Sequence, residues 1–334
     1  MQSLTLSRNF IPSSGPLLHV RTPKPTSTVR IDAGFIEGDE VSSHYDPMIS
    51  KLIVQGTSRR DALQKMRVAL EAYEVAGPIT NIEFLKRCVV SPDFADGKVE
   101  TGYIPKHYDE LFNKEPLPAE VLAQAAIGIV LQETQPPSLP ISSFTAAAMG
   151  FSPRFHPRSI RLVEVPADGK PPADPVSVQI QQTSPETFNI TIGDTEYTNV
   201  SSRWDQSSKT ITSFLPHTRL ATRFIRSENE LTLFQRGQQY RLQLASPAWA
   251  AKALGVKDVA NSVLAPMPCK VLKVHVKAGD EVKKDQPLVV IESMKMETVI
   301  RSPGGGKVKR IVHTEGDIVK AGTALVEFED DAEK

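Results

Sequence analysis

Apolar residues change their spacing along this chain, and each change predicts a different kind of element. Over residues 9–112 the pattern is mixed. Arg30–Gly34 reads as a strand, Glu37–Val41 as a turn entering a second, and His44–Val54 as a lead into a buried strand. Leu63, Met66, Leu70 and Tyr73 then recur at helical spacing, behind a Ser58–Asp61 capping pair. Thr80 with Glu83 repeats the capping logic before Ile82, Phe84 and Leu85. These apolar positions read as core.

After Leu117 the polar face disappears. Val121, Leu122, Ala125, Ala126, Ile127, Ile129, Val130 and Leu131 make a helix apolar on nearly all sides, which marks a buried helix or a membrane span. This one is too short to span. Beyond the breaker Pro136–Pro140 come about eight β-like runs, near 159–165, 176–182, 187–192, 195–200, 209–215, 218–225, 230–235 and 239–244. Short, evenly spaced strands with turn signals such as Gly193-Asp194 and Gly237 predict a barrel or sandwich. An apolar helix beside an eight-stranded barrel predicts that the helix fills it. Thr187, Thr191, Thr195 and Thr198 alternate outward and none reads as catalytic. Trp204 and Trp249 read as packing or edge-covering residues.

The C-terminal part repeats itself. Segments 265–292 and 302–329 align without gaps at an offset of 37 residues. Pro266 matches Pro303, Lys270-Val271 matches Lys307-Val308, and Gly279-Asp280 matches Gly316-Asp317. Val282-Lys283 matches Val319-Lys320, Leu288 matches Leu325, and Glu292 matches Glu329. Two copies of a supersecondary unit are too few for a solenoid and predict a closed pseudo-two-fold sandwich. Met294-Lys295-Met296 lies where one half passes into the other, flanked by Glu292-Ser293 and Glu297-Thr298. A lysine at an exposed hairpin tip has nothing to desolvate it, so it is no Schiff-base or general-base lysine. It is placed to be modified by another enzyme. Methionines filling a core around a surface lysine would produce the same three residues. They would not produce the duplication, Ala265–Pro268 upstream, or Ser302–Gly306 downstream.

Composition narrows the classes further. A chain of 334 residues can hold two or three domains, each with its own core. Its 39 basic and 39 acidic residues cancel, leaving no bulk electrostatic case for nucleic acid or an acidic membrane. Cys88 and Cys269 fit neither a metal spacing nor a disulfide-built secreted domain. No apolar run approaches the ~20 residues of a membrane span. Residues 1–31 lack acidic side chains and carry Arg8, Arg21, Lys24 and Arg30, but four prolines interrupt any amphipathic period. No convincing targeting segment results, and a soluble intracellular protein is the expectation.

The tip, with the duplication around it, resembles the biotinyl domain of biotin-dependent carboxylases. The related lipoyl domains usually carry Asp-Lys-Ala instead. The resemblance implies a flattened β-barrel of sandwich type with biotin joined by an amide to Lys295, and a motif made of Glu292, Met294, Met296 and Glu297. Residues 9–112 resemble the C-terminal subdomain of biotin carboxylase, through Asn9–Pro16, Tyr45–Leu52, Thr80-Asn81-Ile82 and Thr101–Ile104. Residues 37–55 are most similar to the biotin-bearing subunits of methylcrotonyl-CoA carboxylases. Tyr45 and Asp46 are candidates for the border of the biotin pocket, although Asp46 would equally satisfy strand-end backbone groups before Pro47.

The resemblance also implies what is not found. Its ATP-grasp half, with the ATP- and Mg-binding groups, has no counterpart in these residues, and the biotin-orienting arginine expected just upstream of Arg8-Asn9 is missing too. Gly304-Gly305-Gly306 is not followed by Lys-Ser/Thr at phosphate-loop spacing. No complete catalytic site and no metal site is therefore expected.

The expected fold is multi-domain, α+β and mainly β. Residues 1–8 are unrelated, 9–112 form a partial carboxylase subdomain, and 113–247 a barrel domain contacting the carboxyltransferase subunit. Within the barrel domain, the partner-contacting loop would include Phe151–Phe155. Residues 248–262 form a linker and 263–330 the biotinyl domain, with a solvated tail behind it. A tether of this kind raises the carrier's effective concentration at both active sites.

By this resemblance the chain is the carrier and subunit-contact portion of an acyl-CoA carboxylase, with a carboxyltransferase (beta) subunit and a biotin–protein ligase as partners. A mitochondrial matrix location and a hetero-oligomer follow from the same resemblance. Alternatives are a propionyl-CoA carboxylase subunit, a free-standing biotin carrier and, last, a lipoyl carrier.

Overall fold

The computed structural model describes residues 1–2, 4–5, 11–42, 46–112, 116–133, 157–165, 174–245, 262–293, 296–320 and 322–328. Residues 66–74 and 86–245 form one compact unit, and residues 1–65, 75–85 and 246–334 group in another.

Near the N-terminus, β1 (Val29–Ala33) and β2 (Ser50–Val54) form a two-stranded antiparallel sheet running from Val29↔Val54 to Ala33↔Ser50. The expectation that β2 is buried fails. Ser50 is buried, but Lys51 is exposed and Ile53 is 46 % exposed. Among the described residues β1 is its one ladder partner, and Arg30, Asp32, Lys51 and Ile53 share the open face. On that face the Arg30 guanidinium donates from Nε and Nη2 to the Asp32 carboxylate at 2.8 and 3.0 Å. An apolar run identifies a strand but not how many layers cover it.

Helix α1 (Arg59–Glu71) begins where the capping pair places it. The Asp61 N–H donates to Ser58 Oγ at 3.2 Å, while the Asp61 carboxylate accepts from the Thr57 N–H at 2.8 Å. Leu70 and Tyr73 are buried, and Leu63 and Met66 half-buried. Helix α2 (Ile82–Val90) starts one residue later than a Thr80 cap requires. Leu85 N–H bonds to the Asn81 carbonyl at 3.0 Å, so Asn81 is the capping position. The Thr80 hydroxyl is left buried without a hydrogen bond, and that expected cap is not made.

The middle of the chain is a closed barrel wrapped on a helix. Its strands are β3 (Arg158–Glu164), β4 (Val176–Ser184), β5 (Thr187–Ile192), β6 (Thr195–Asp205), β7 (Thr210–Leu215), β8 (Thr218–Ser227), β9 (Glu230–Gln235) and β10 (Gln238–Leu244). Each pairs antiparallel with its successor, and β10 returns to β3, so no edge is left. Helix α3 (Ala119–Glu133) is the filling, and every residue from Val121 to Leu131 is buried. It packs against Ile180, Phe188, Ile190, Ile211, Phe224 and Leu233 in one continuous core. Gly128 lets the helix approach closely, since a Cβ there would lie 2.8 Å from Ile211 and 2.9 Å from Phe224. Trp204 meets Phe224 edge-on at 6.2 Å and is a packing residue, as expected, while Trp249 lies outside the described residues.

The C-terminal repeat folds as two four-stranded sheets. The elements are β11 (Ser262–Leu264), β12 (Cys269–Val274), β13 (Glu281–Val282), β14 (Pro287–Ser293), β15 (Met296–Arg301), β16 (Gly306–Ile311), β17 (Ile318–Val319) and β18 (Ala324–Phe328). One sheet runs β11-β18-β16-β13 and the other β15-β14-β12-β17. Adding 37 to β11, β12 and β13 lands on β15, β16 and β17, and adding it to Pro287, the start of β14, lands on Ala324, the start of β18. The offset therefore converts each sheet into the other. Hydrogen bonds obey it as well. Val271 N–H donates to Asp317 O as Val308 N–H does to Asp280 O, both at 2.9 Å. Both halves turn at a glycine of positive φ, Gly279 at 93° and Gly316 at 97°, where L side chains are disfavoured. The predicted pseudo-two-fold sandwich is present down to its backbone bonds.

Candidate functional site

Strands β14 and β15 form the hairpin that joins the two halves. Their register runs Ile291↔Thr298, Glu292↔Glu297 and Ser293↔Met296, so two residues, Met294 and Lys295, connect them. Those two lie outside the described residues, and Met296 is described in its backbone alone. Two residues is the commonest length for an antiparallel connection.

The base of the hairpin is anchored on both sides. Ile291 and Leu288 point into the sandwich core with Val271, Val308 and Leu325. Ser293 is buried, and its hydroxyl donates to the Pro268 carbonyl at 2.8 Å, tying the hairpin to the Ala265–Pro268 segment. Met267 of that segment is buried. Cys269 begins β12 inside the core, and desolvation by burial pushes its thiol up to about 11. It stays protonated at neutral pH and is no competing nucleophile.

Glu292 is half-buried and Glu297 exposed. They are direct cross-strand neighbours, with Lys270 on the other side of Glu292. The sequence placed both glutamates beside the lysine but not opposite each other, because cross-strand partnership depends on the length of the connection. Of the other candidates, Asp46 is exposed and Tyr45 lies outside the described residues. The loop 151–155, most of the linker 248–262 and the tail from 329 are outside them too.

The described part of the hairpin is held on both sides, by the sandwich core beneath β14 and by the Ser293 bond to the Pro268 carbonyl. Among the described residues no cluster of His, Cys, Asp and Glu could hold a metal ion. No helix among them is long and apolar enough to cross a membrane.

Comparison with known proteins agrees with this geometry. Residues 5–106 match the biotin carboxylase C-terminal domain, and residues 261–328 match the biotin-requiring enzyme (biotin/lipoyl) domain. The mitochondrial methylcrotonoyl-CoA carboxylase subunit alpha of Dictyostelium discoideum is 34% identical over 93% of this chain and 45% of its own length. The mitochondrial propionyl-CoA carboxylase alpha chain of Mus musculus is 28% identical over 96% of this chain and 44% of its own. The biotin carboxylase domain of the Hydrogenobacter thermophilus 2-oxoglutarate carboxylase is 32% identical over 34% of this chain and 25% of that one, with a TM-score of 0.33. The chain thus spans a little under half the length of the curated relatives it matches. It carries a biotin carboxylase C-terminal domain and a biotin-requiring domain, and it is similar along nearly its whole length to the alpha subunits of methylcrotonoyl-CoA and propionyl-CoA carboxylases.

Proposed function

We propose that this chain is the biotin carboxyl carrier and subunit-contact portion of a methylcrotonyl-CoA carboxylase, carrying biotin as an amide on Lys295. The observation that carries the reading is the two-residue connection at the midpoint of the duplicated sandwich, which holds Met294 and Lys295 and nothing else. When bound, biotin supplies a ureido nitrogen that takes up and gives back a carboxyl group. The protein's residues hold and present it. The sandwich core fixes the hairpin, Ser293 anchors its base, and Met294, Met296, Glu292 and Glu297 shape what the attaching ligase meets.

Residues 9–112 act as part of a biotin carboxylase unit, in which Tyr45 and Asp46 border the biotin pocket. Residues 113–247 contact the carboxyltransferase (beta) subunit in a hetero-oligomer, and 248–262 tether the carrier at 263–330 so that it reaches both active sites. Carbon–carbon ligase activity, with ATP and Mg, belongs to the assembled enzyme. The mitochondrial matrix is the proposed compartment, since several of the relatives are named mitochondrial. Methylcrotonyl-CoA is preferred over propionyl-CoA as the substrate because identity is higher toward that relative, 34% against 28%.

The test is streptavidin capture from cells expressing this chain or its Lys295→Ala variant, with co-captured proteins identified by mass. Capture should require Lys295 and bring down a carboxyltransferase subunit. Absence of capture with biotin and ligase plentiful would refute the carrier role. Lys295-dependent capture without a partner would refute the subunit-contact role alone.

A further inference from the structure

The duplication provides an internal control for the surface of the sandwich, because each outward position in one sheet has a register-matched equivalent in the other. In the sheet without the hairpin, one outward row is Ser262, Glu327 and Arg310, with Arg310 donating twice to the Glu327 carboxylate at 2.7 and 2.8 Å. The equivalent row in the hairpin sheet is Val299, Val290 and Lys273. On the next row Glu281 stands opposite Lys307, and its equivalent Ile318 stands opposite Lys270. Three polar positions have thus become apolar, all in the sheet that bears Lys295. Ile318 is 79 % exposed, the most exposed large apolar side chain among the described residues, and Val299 is 42 % exposed. Neither has a place in the sandwich core.

Folding does not require this apolar face, since the same backbone is built with a solvated, ion-paired face next door. Nor is it neutral. Exposed β-branched side chains on a sheet are an association hazard, and none of the matched positions Ser262, Glu327 and Glu281 carries one. Lys270 and Lys273 stand in the same rows, and among the described residues neither is in an ion pair. The like-charged Glu292↔Glu297 pair closes the face at the hairpin end. A partner with an apolar strip, acidic groups over the two lysines and a cationic group over the two glutamates would satisfy every element of this surface.

We infer that the outer face of β15-β14-β12-β17, centred on Val290, Val299 and Ile318, is the docking surface for the ligase that attaches biotin to Lys295. The inference rests on the proposed biotinylation of Lys295. It commits to the ligase because Val290, Val299 and Ile318, the last the most exposed of the large apolar side chains described, lie on the sheet whose hairpin carries the acceptor, beside the lysine that this enzyme must reach.

The test uses the full chain with a purified biotin–protein ligase, biotin and MgATP, and varies the concentration of the carrier chain. The first variant, Val299→Ser with Ile318→Glu, imports the residues that the other sheet carries at the same register positions. Ile318→Glu alone is the second, at a site exposed enough to leave folding unchanged. Both should raise KM for the chain about tenfold with kcat within about twofold, the pattern of lost docking rather than lost chemistry. The mirror variant Glu281→Ile should leave KM unchanged. Wild-type KM in both face variants would overturn the docking surface while leaving biotinylation intact, and so would an equal KM change in Glu281→Ile. An unlabelled wild-type chain would instead overturn the Lys295 reading, and the docking surface with it.

Discussion

Glu292 and Glu297 face each other directly across the hairpin of β14 and β15, one position from its end. Like charges on directly opposed cross-strand positions destabilise a sheet, typically by a few tenths to about 1 kcal/mol. Glu297→Gln should therefore stabilise the chain by about 0.5 kcal/mol, with a gain that shrinks as salt is added. Urea unfolding at low and high ionic strength measures both. A loss of stability at low salt would show that the carboxylates make compensating bonds.

The duplication also marks a strained position. Asp285 holds a φ of 64°, and its equivalent in the other half is Gly322 at 76°. Both serve the same turn, for Asp285 N–H bonds to Ser302 O as Gly322 N–H bonds to Ala265 O. A Cβ at Gly322 would meet nothing within 4 Å, so backbone conformation alone separates the two residues. Asp285→Gly should stabilise by about 0.5–1 kcal/mol, and Gly322→Ala should cost about 1 kcal/mol. Thermal midpoints of the two variants, moving in opposite directions, would confirm the pairing. Midpoints moving together would refute it.

Much of this architecture was legible because it depends on repetition and periodicity. A 37-residue offset, visible as matched Gly-Asp turns and matched valines, dictated the sandwich. Eleven consecutive buried positions in α3 could be read because a helix without a polar face must be enclosed. Depth and partnership were harder. Leu52-Ile53-Val54 looks like a core strand by composition, but burial depends on whether a second layer lies over it, and Ile53 faces the open side beside Arg30. Thr80 has the right chemistry for a cap one position too early. At the site, Lys295 was found from its neighbours in sequence, whereas the Glu292↔Glu297 opposition required the register. The apolar face of Val290, Val299 and Ile318 leaves no local sequence signal, since valine and isoleucine are ordinary strand residues. It emerges from comparing the two halves in space.

Inside the barrel, Gly128→Ala sets two effects against each other. Alanine improves helix propensity by about 1 kcal/mol. Its Cβ would also lie 2.8 Å from Ile211 Cδ1 and 2.9 Å from the Phe224 ring, in a core with Trp204 against that ring. Overpacking of this kind costs about 1–3 kcal/mol, and both neighbours are fully enclosed, so the strain should win. The variant should be less stable by about 1 kcal/mol in chemical denaturation. A stabilised variant would mean that α3 can slide within the barrel.

Acid should loosen the β6–β7 turn in a defined window. Asp205 accepts from the Ser207 and Ser208 hydroxyls, each at 2.7 Å, and from the Ser207 N–H at 3.0 Å. These bonds, the Ser207 hydroxyl foremost, hold its carboxyl down at about 2 from the ordinary 3.8. A depressed carboxylate contributes its stabilisation above the unfolded value and loses it as pH falls through the folded one. Protection of the amides of residues 206–209, taken against the intrinsic exchange rate at each pH, should therefore fall between pH 3.8 and about 2, and in Asp205→Ala it should be low throughout. A carboxyl titration midpoint at or above 3.8 would contradict the bond set.

Glu74 and Arg223 provide the most demanding test of the unit formed by residues 66–74 and 86–245. Arg223 Nε lies 2.9 Å from Glu74 Oε2, with side chains only 18 % and 12 % exposed. That Nε makes no aligned hydrogen bond, so the contact is chiefly one of charge. Removing one partner leaves an uncompensated charge in a nearly dry setting, whereas replacing both by apolar residues removes the desolvation cost as well. Glu74→Ala should cost about 3 kcal/mol. The double variant Glu74→Leu, Arg223→Met should lie within about 1 kcal/mol of wild type. Urea midpoints for the singles and the double complete the cycle. A coupling near zero would mean that water screens the pair. A double variant as unstable as the single would mean that the charges specify the packing rather than merely tolerate it.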